Sequence, residues 1–219
     1  MQGAPRRRAR LNACLPDKPP RALHHATACI CAGVWHKNHM ITRHHTKGDA
    51  PSTAVYSACE RYRYSLTRIW HATARRVVFI MLNPSTATEV QNDPTIHRCE
   101  QRARTLGFGG FRAVNIFALR ATDPRDMRAA LDPEGPDNAD ALDAAVEWAD
   151  MAIAAWGVHG AHREQGPRVA QRLHAARRTL HHLGLTKAGH PRHPLYLSYA
   201  TQPVLWTPSP EEATGVTVR

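Results

Sequence analysis

The sequence predicts an α/β fold with three layers: a mostly parallel, four-strand central sheet, helices on both faces, and an antiparallel strand at one edge. Three observations predict it. Short apolar runs of strand length alternate with stretches of helical pattern, as in βαβ units. The first apolar run stops abruptly at a polar loop. Of the 219 residues, 42% are hydrophobic, which is enough to fill a globular core.

The predicted elements follow one another along the chain. Residues 61–70 alternate β-prone and charged residues, which is typical of an antiparallel strand. The buried strands are predicted at residues 75–82, 111–119, 151–156 and 179–185. Helices are predicted at residues 94–106, 124–131, 137–149 and 165–177, and a last extended segment at 195–199. Asp93 is a plausible N-cap for the first helix, with Pro94 at its first position and Gly107 after its end.

The predicted division places a basic, disordered extension at residues 1–52, a single α/β domain at 53–205 and a C-terminal tail at 206–219. Prolines interrupt the extension, no hydrophobic period persists in it, and Met40 offers an alternative start. Residues 1–76 hold 14 Lys and Arg against 3 Asp and Glu, a net charge of +11, whereas residues 77–219 hold 15 of each. The extension is thus either a solvated segment or a nonspecific phosphate binder.

Composition excludes several classes of protein. The chain has no run of eighteen apolar residues and no secretory signal pattern, so we expect no membrane segment. Five cysteines, an odd number, favour a reducing compartment and a cytoplasmic location. Cys29 and Cys31 lie near several histidines, but their spacing is a weak zinc signal. We therefore expect no metal and no cofactor, and the sequence leaves the oligomeric state open.

Polar residues follow each predicted strand. The carboxyl ends of parallel strands meet at one edge of a sheet, so one cleft should collect polar side chains from all four loops. The six residues expected there are Asn83, Asp93, Arg120, His159, Lys187 and His193. The catalytic candidates are Asn83, Asp93 and His193. The substrate-binding candidates are Ser85, Thr86, Asn115, Phe117, Arg120, His159, Lys187, His190 and Tyr196.

Several of these residues also have a purely structural interpretation. Asp93 can serve only as a helix cap, Asn83 with Pro84 only as a turn, and His159 only as a surface residue. However, the loop before Asp93 is about ten residues long, where two to six are usual, and long polar loops often carry function.

Familiar catalytic motifs are absent. The sequence has no phosphate-binding P-loop, no nucleophile elbow and no zinc-deaminase signature. Gly107-Phe108-Gly109-Gly110 precedes a strand instead of opening a helix, which is the wrong context for dinucleotide binding.

Five ordered blocks within residues 56–200 resemble the domain-of-unknown-function 1643 family of bacteria and phages. They are YRYSLTRIW, IMLNPSTAT with NDPTIHRC, VNIFALRATDP, AAWG and LGLTKAGHPRHPLYL. This resemblance implies one compact domain and no settled activity.

Three positions also resemble the uracil-DNA glycosylase-like superfamily: Asn83-Pro84 after the first strand, Asn115 in the second, and His193-Pro194 in the last loop. The resemblance implies hydrolysis at a nucleobase or nucleotide. Asn83 or Asp93 would position water, Phe117 and Asn115 would hold a flipped base, and His193 would stabilise the departing base or a phosphate. Two other functions stay open: a non-catalytic module that binds nucleic acid or nucleotides, and an enzyme acting on an unrelated small substrate.

Overall fold

The computed structural model describes residues 40–207, and one sheet of eight strands forms its centre. The strands are β1 Ile41–Lys47, β2 Ala50–Tyr56, β3 Arg63–Ile69, β4 Arg76–Met81, β5 Gly110–Asn115, β6 Met151–Ala154, β7 Leu180–His182 and β8 Val204–Trp206. The helices in this part of the chain are α1 Pro94–Thr105, α2 Pro124–Ala129, α3 Asn138–Trp148 and α4 Gln165–Ala175. None of these helices is long and apolar enough to cross a membrane.

The predicted four-strand, mostly parallel sheet is wrong. The strand order is β1-β2-β3-β5-β4-β6-β7-β8, so the sheet has eight strands where four central strands and one edge strand were expected. The sheet is mixed: β5, β4, β6 and β7 run parallel, and every other neighbouring pair is antiparallel. The sequence interpretation failed because it relied on long apolar runs, which mark buried parallel strands and not the polar strands at the edges.

The hairpin β1–β2 lies where a disordered extension was expected. Residues 41–52 belong to this hairpin, whose strands pair from Ile41 with Tyr56 to Lys47 with Ala50. In β2, alternate residues are buried, but three of the four are Ala or Ser and give only a weak hydrophobic signal. β1 is mostly exposed, as expected for an edge strand. Residues 1–39, with Cys29 and Cys31, lie outside the described residues, and their predicted division stays a prediction.

The end of the described chain also differs from expectation. Residues 195–199 do not extend as a strand, because Pro194–Tyr196 forms a 3₁₀ turn whose N-cap is His193. The last strand is β8, and Trp206 is buried against Trp156 with ring centroids 5.6 Å apart. The expected tail boundary at residue 206 therefore falls within β8.

Two apolar cores lie on opposite faces of β4. Val78 and Ile80 face the core that α3 and α4 cover. Val77, Phe79 and Met81 face the core that α1 covers, here called the α1 core. Alternation along the strand explains this division, since successive side chains point to opposite faces.

The strand order reverses at β4, which pairs with β5 on one side and with β6 on the other. The chain goes from β4 through α1 to β5, then crosses to β6. In open α/β sheets such a switch point leaves a crevice at the carboxyl ends of the strands.

Candidate functional site

A small crevice lies at the carboxyl end of β4, beside the start of α1. Its volume is about 40 Å³, and about 10–15 Å³ of such volume is enough to hold one water. The residues that line it are Arg63, Met81, Asn83, Ser85, Asp93, Thr95, Ile96 and His193. The crevice therefore has room for water or a small polar group.

The loop between β4 and α1 forms one wall, and its shape is fixed by hydrogen bonds. The Asn83 amide nitrogen donates to the carbonyl oxygens of Ala121, at 2.7 Å, and of Pro84, at 3.0 Å. Its amide oxygen is then the atom left for a ligand or water. Farther along the loop, the carbonyl of Ala87 accepts from Arg63, and that of Thr88 accepts from Arg68 at 3.0 Å.

Asp93 is both a helix cap and a crevice residue. Its Oδ1 accepts from the backbone N–H of Ile96 at 2.8 Å, which caps α1. Its Oδ2 accepts from the N–H of Ala87 at 3.4 Å. The two interpretations of Asp93 are thus compatible, because the carboxylate ties the loop to the helix while it lines the crevice.

His193 reaches the crevice from the loop after β7. Its Nδ1 accepts from the N–H of Leu195 at 3.4 Å, so the remaining hydrogen of the neutral ring lies on Nε2. Burial lowers the pKa of His193, and the charge of Asp93 opposes this only in part. At neutral pH the ring is therefore an uncharged donor.

Gly157 is the residue that lets the loops meet beside His193. Its φ of 70° and ψ of −170° lie in a region that only glycine adopts readily. Its N–H donates to the carbonyl of Pro191 at 2.8 Å, which joins the loop after β6 to the His193 loop. A Cβ at this position would lie 3.7 Å from that of His193, so the backbone conformation and not crowding requires glycine.

Arg63 is a crevice residue that sequence reasoning missed. It is 1% exposed, and burial lowers its pKa to about 10, although the charges of Tyr56 and Asp93 oppose this. It remains a cation at neutral pH, and its Nε has no hydrogen-bond partner among residues 40–207. The sequence signal for a buried arginine was its position between two aromatic residues in a β-prone run. That run was interpreted only as an alternating strand.

Asn115 lies next to the crevice but does not line it. It ends β5 and pairs in register with Met81. Its side chain is 1% exposed, and neither polar atom of its amide has a partner within the described part of the chain. A buried amide without partners calls for a water or a ligand group.

Only some of the residues predicted from the sequence line the crevice. Of the six residues expected to share a cleft, the crevice collects Asn83, Asp93 and His193, and it also collects Ser85. Phe117 is fully buried in the core under α3 and α4, with its ring 5.7 Å from that of His162, so no base can stack on it here.

Surface positions account for most of the others. Arg120 lies over the ring of Tyr56, at 5.4 Å from its centroid. His159 is exposed, with Nδ1 3.4 Å from an Arg128 nitrogen. The residues that also do not line the crevice are Thr86, Lys187, His190 and Tyr196, and the Tyr196 side chain is 88% exposed. Within residues 40–207, no three His, Cys, Asp or Glu side chains gather as metal ligands.

The part of the chain that matches a known family includes this whole site. The family model described as "Protein of unknown function (DUF1643)" matches residues 63–195, more than half of the chain. The match runs from the buried Arg63 to just beyond His193, so it includes every residue that lines the crevice. No curated protein and no solved structure matches the chain. The resemblance to this family is confirmed, whereas that to the uracil-DNA glycosylase-like superfamily is not, and the chain belongs to the DUF1643 family.

Proposed function

We propose that the chain hydrolyses the N-glycosidic bond of a nucleoside or nucleotide at this crevice. The observation that carries the proposal is the meeting of a carboxylate, Asp93, with a neutral imidazole, His193, in one small crevice at the strand ends. A base that takes a proton from water and a donor that supports the leaving group are what such a hydrolysis needs.

The small volume of the crevice supports one arrangement of the proposed reaction. At about 40 Å³ it is small for a whole base, which supports a role in binding the attacking water. Asp93 and the amide oxygen of Asn83 orient this water toward the sugar carbon. The water oxygen bonds to that carbon, the carbon–nitrogen bond breaks, and its electron pair stays on the base. Asp93 takes the water proton, and Nε2–H of His193 donates a hydrogen bond to the departing base.

Arg63 supplies the electrostatic part of the proposed mechanism. Its buried charge lies beside the crevice, and a cation in a dry site acts more strongly than one in water on the negative charge that develops on the departing base. Its buried Nε–H has no partner among the described residues, and a buried donor without a partner calls for a water or a ligand group.

The order of the motifs also supports the proposal. Asn83-Pro84, Asn115 and His193-Pro194 occur in the order seen in uracil-DNA glycosylase-like proteins. Here His193 and Asn83 line one crevice, and Asn115 ends the neighbouring strand with an unpartnered amide. We also propose a cytoplasmic location, because the free thiols of Cys59 and Cys99 fit a reducing compartment.

A second candidate is a nucleotide-binding module without catalysis. One observation favours it: both carboxylate oxygens of Asp93 already accept a backbone hydrogen bond, which suits a structural role in holding the loop and the helix. Such a module would bind the nucleotide and release no product.

A product assay separates these functions. The full chain is incubated with nucleosides, nucleotides and base-modified DNA in ¹⁸O-labelled water, and free base and labelled sugar are measured. His193→Gln should lower turnover by about 100-fold or more. His174→Gln is the control, because His174 is exposed near the end of α4. Nucleotide binding without free base supports the second candidate, and neither binding nor product from a folded protein overturns both.

A further inference from the structure

Side chains of α1 hold the chain segment that follows His193 through hydrogen bonds. Arg102 is fully buried on this helix. Its Nη1 donates to the carbonyl of Thr201 at 3.0 Å, and its Nη2 donates to the carbonyls of Ser198, at 2.8 Å, and Leu197, at 3.2 Å. One planar guanidinium therefore fixes three backbone positions within five residues.

Arg98, one helical turn earlier, makes further contacts with the same segment. It donates to the carbonyl of Leu197, and its guanidinium carbon lies 4.3 Å from the ring centroid of Tyr199. Arg102 lies 5.7 Å from the same ring. Residues four apart lie on one face of a helix, so both arginines hold the same segment. Residues 197–201 with Arg98 and Arg102 are called the arginine clamp.

The clamp is coupled to His193 through a short, stiff connection. Between His193 and Leu197 lies only the 3₁₀ turn Pro194–Tyr196, with a proline at its first position and His193 as its cap. Proline fixes its own φ, so this connection has little freedom. A shift of the clamp is therefore passed on to the imidazole.

The other wall of the crevice belongs to the same helix. Asp93 caps α1, and the clamp arginines follow on that helix. One rigid element thus carries the carboxylate and holds the segment that bears the imidazole. α1 therefore contributes to the separation of Asp93 from His193, together with the Gly157–Pro191 hydrogen bond that holds the His193 loop.

We infer that Arg102 is a positioning residue that holds His193 opposite Asp93 across the crevice. Its effect on turnover rests on the proposed function of His193. Its effect on the placement of His193 does not, so the two can fail separately.

The test combines Arg102→Gln with a direct measurement on His193. The side-chain resonances of His193 are followed by NMR as a function of pH, with His193→Gln used to assign them. Loss of the clamp should expose the ring, and its pKa should rise toward the ordinary value of 6.5. Where the enzyme turns over, kcat should fall by about tenfold or more while KM changes little, because small misplacements of a reacting group are costly.

Two further variants make the result specific. Arg102→Lys should recover only part of the effect, since an ammonium cannot reach three carbonyls as a guanidinium does. Arg104→Gln is the matched control, because Arg104 lies on the same helix but pairs with Asp49 and Glu100 and not with residues 197–201. It should leave the His193 titration unchanged.

The outcomes separate the two claims. A raised His193 pKa without any turnover in the wild type supports the clamp and counts against the proposed function. A folded Arg102→Gln protein with an unchanged His193 titration overturns the clamp. If Arg102→Gln does not fold, Arg98→Gln decides in the same assay, because Arg98 is only half-buried and a smaller shift in the same direction is expected.

Discussion

Two helices of this protein begin with the same dipeptide, Asp-Pro, and the comparison of their caps is instructive. Asp93 precedes Pro94 at the start of α1, and Asp123 precedes Pro124 at the start of α2. Each aspartate uses Oδ1 to accept a backbone N–H of the first turn at 2.8 Å. In local structure the two caps are nearly equivalent.

The second carboxylate oxygen of each aspartate has a different hydrogen-bond partner. Oδ2 of Asp93 accepts from the N–H of Ala87, inside a loop that folds over the buried Arg63. Oδ2 of Asp123 accepts from the side chain of Arg125, at 2.6 Å, on the surface. The same dipeptide therefore specifies a cap in both places, and its position relative to the sheet decides whether the carboxylate also faces a crevice.

The largest expected difference is in turnover. Asparagine caps a helix about as well as aspartate, so Asp→Asn removes the base and keeps the cap. Asp93→Asn should lower kcat by about 100-fold or more, and Asp123→Asn should leave it unchanged. The release of free base is the measurement. Equal activity of wild type and Asp93→Asn would leave Asp93 only its structural role.

Parts of this comparison were visible in the sequence. Asp93, Pro94 and Gly107 mark the limits of α1, because capping depends on residues that are close in the chain. The placement of Asn83 and His193 near each other also followed, since both lie in loops that follow strands of the parallel part of the sheet. β1, in contrast, was not predicted, because its residues are mostly polar. As an edge strand it is held by backbone pairing with β2 and not by its side chains.

The role of Arg63 could not be predicted in the same way. Its burial depends on the loop of residues 83–93 folding over β3, where the Ala87 carbonyl accepts its hydrogen bond. That contact joins positions 24 residues apart. Phe117 was misjudged for a related reason: it follows a strand, but its side chain faces the α3 and α4 core and not the crevice.

The second difference is in stability when each cap is removed. Asp93→Ala should lower the free energy of unfolding by about 1–2 kcal/mol, because it frees the N–H groups of both Ile96 and Ala87. Asp123→Ala should cost less, since α2 has six residues and its start is exposed to water. Chemical denaturation of the two variants measures both values. Equal losses would show that the loop contact of Asp93 contributes nothing.

A smaller effect on the free energy of unfolding should come from the negative charge of Asp93. The carboxylate attracts the buried Arg63, and a buried cation without a partner is destabilising. A double-mutant cycle with Asp93→Asn and Arg63→Met should give a coupling energy of about 1 kcal/mol. The same cycle with Asp123→Asn and Arg63→Met should give none. A coupling near zero in the first cycle would mean that solvent screens the pair.

The smallest effect concerns the pH dependence of Asp123. Hydrogen bonds from Arg125 hold the pKa of Asp123 below its usual 3.8. The stability from this pair is therefore fully present above pH 3.8 and is lost as the pH falls through the lower folded-state value. Asp123→Asn keeps the cap and removes only this part. Its melting temperature should lie slightly below that of the wild type at pH 6, and the gap should narrow below pH 3.8 and in high salt, because the pair is exposed. A gap that does not change with pH or salt would place the effect in the cap hydrogen bond, and the two Asp-Pro caps would then differ only in the crevice that Asp93 faces.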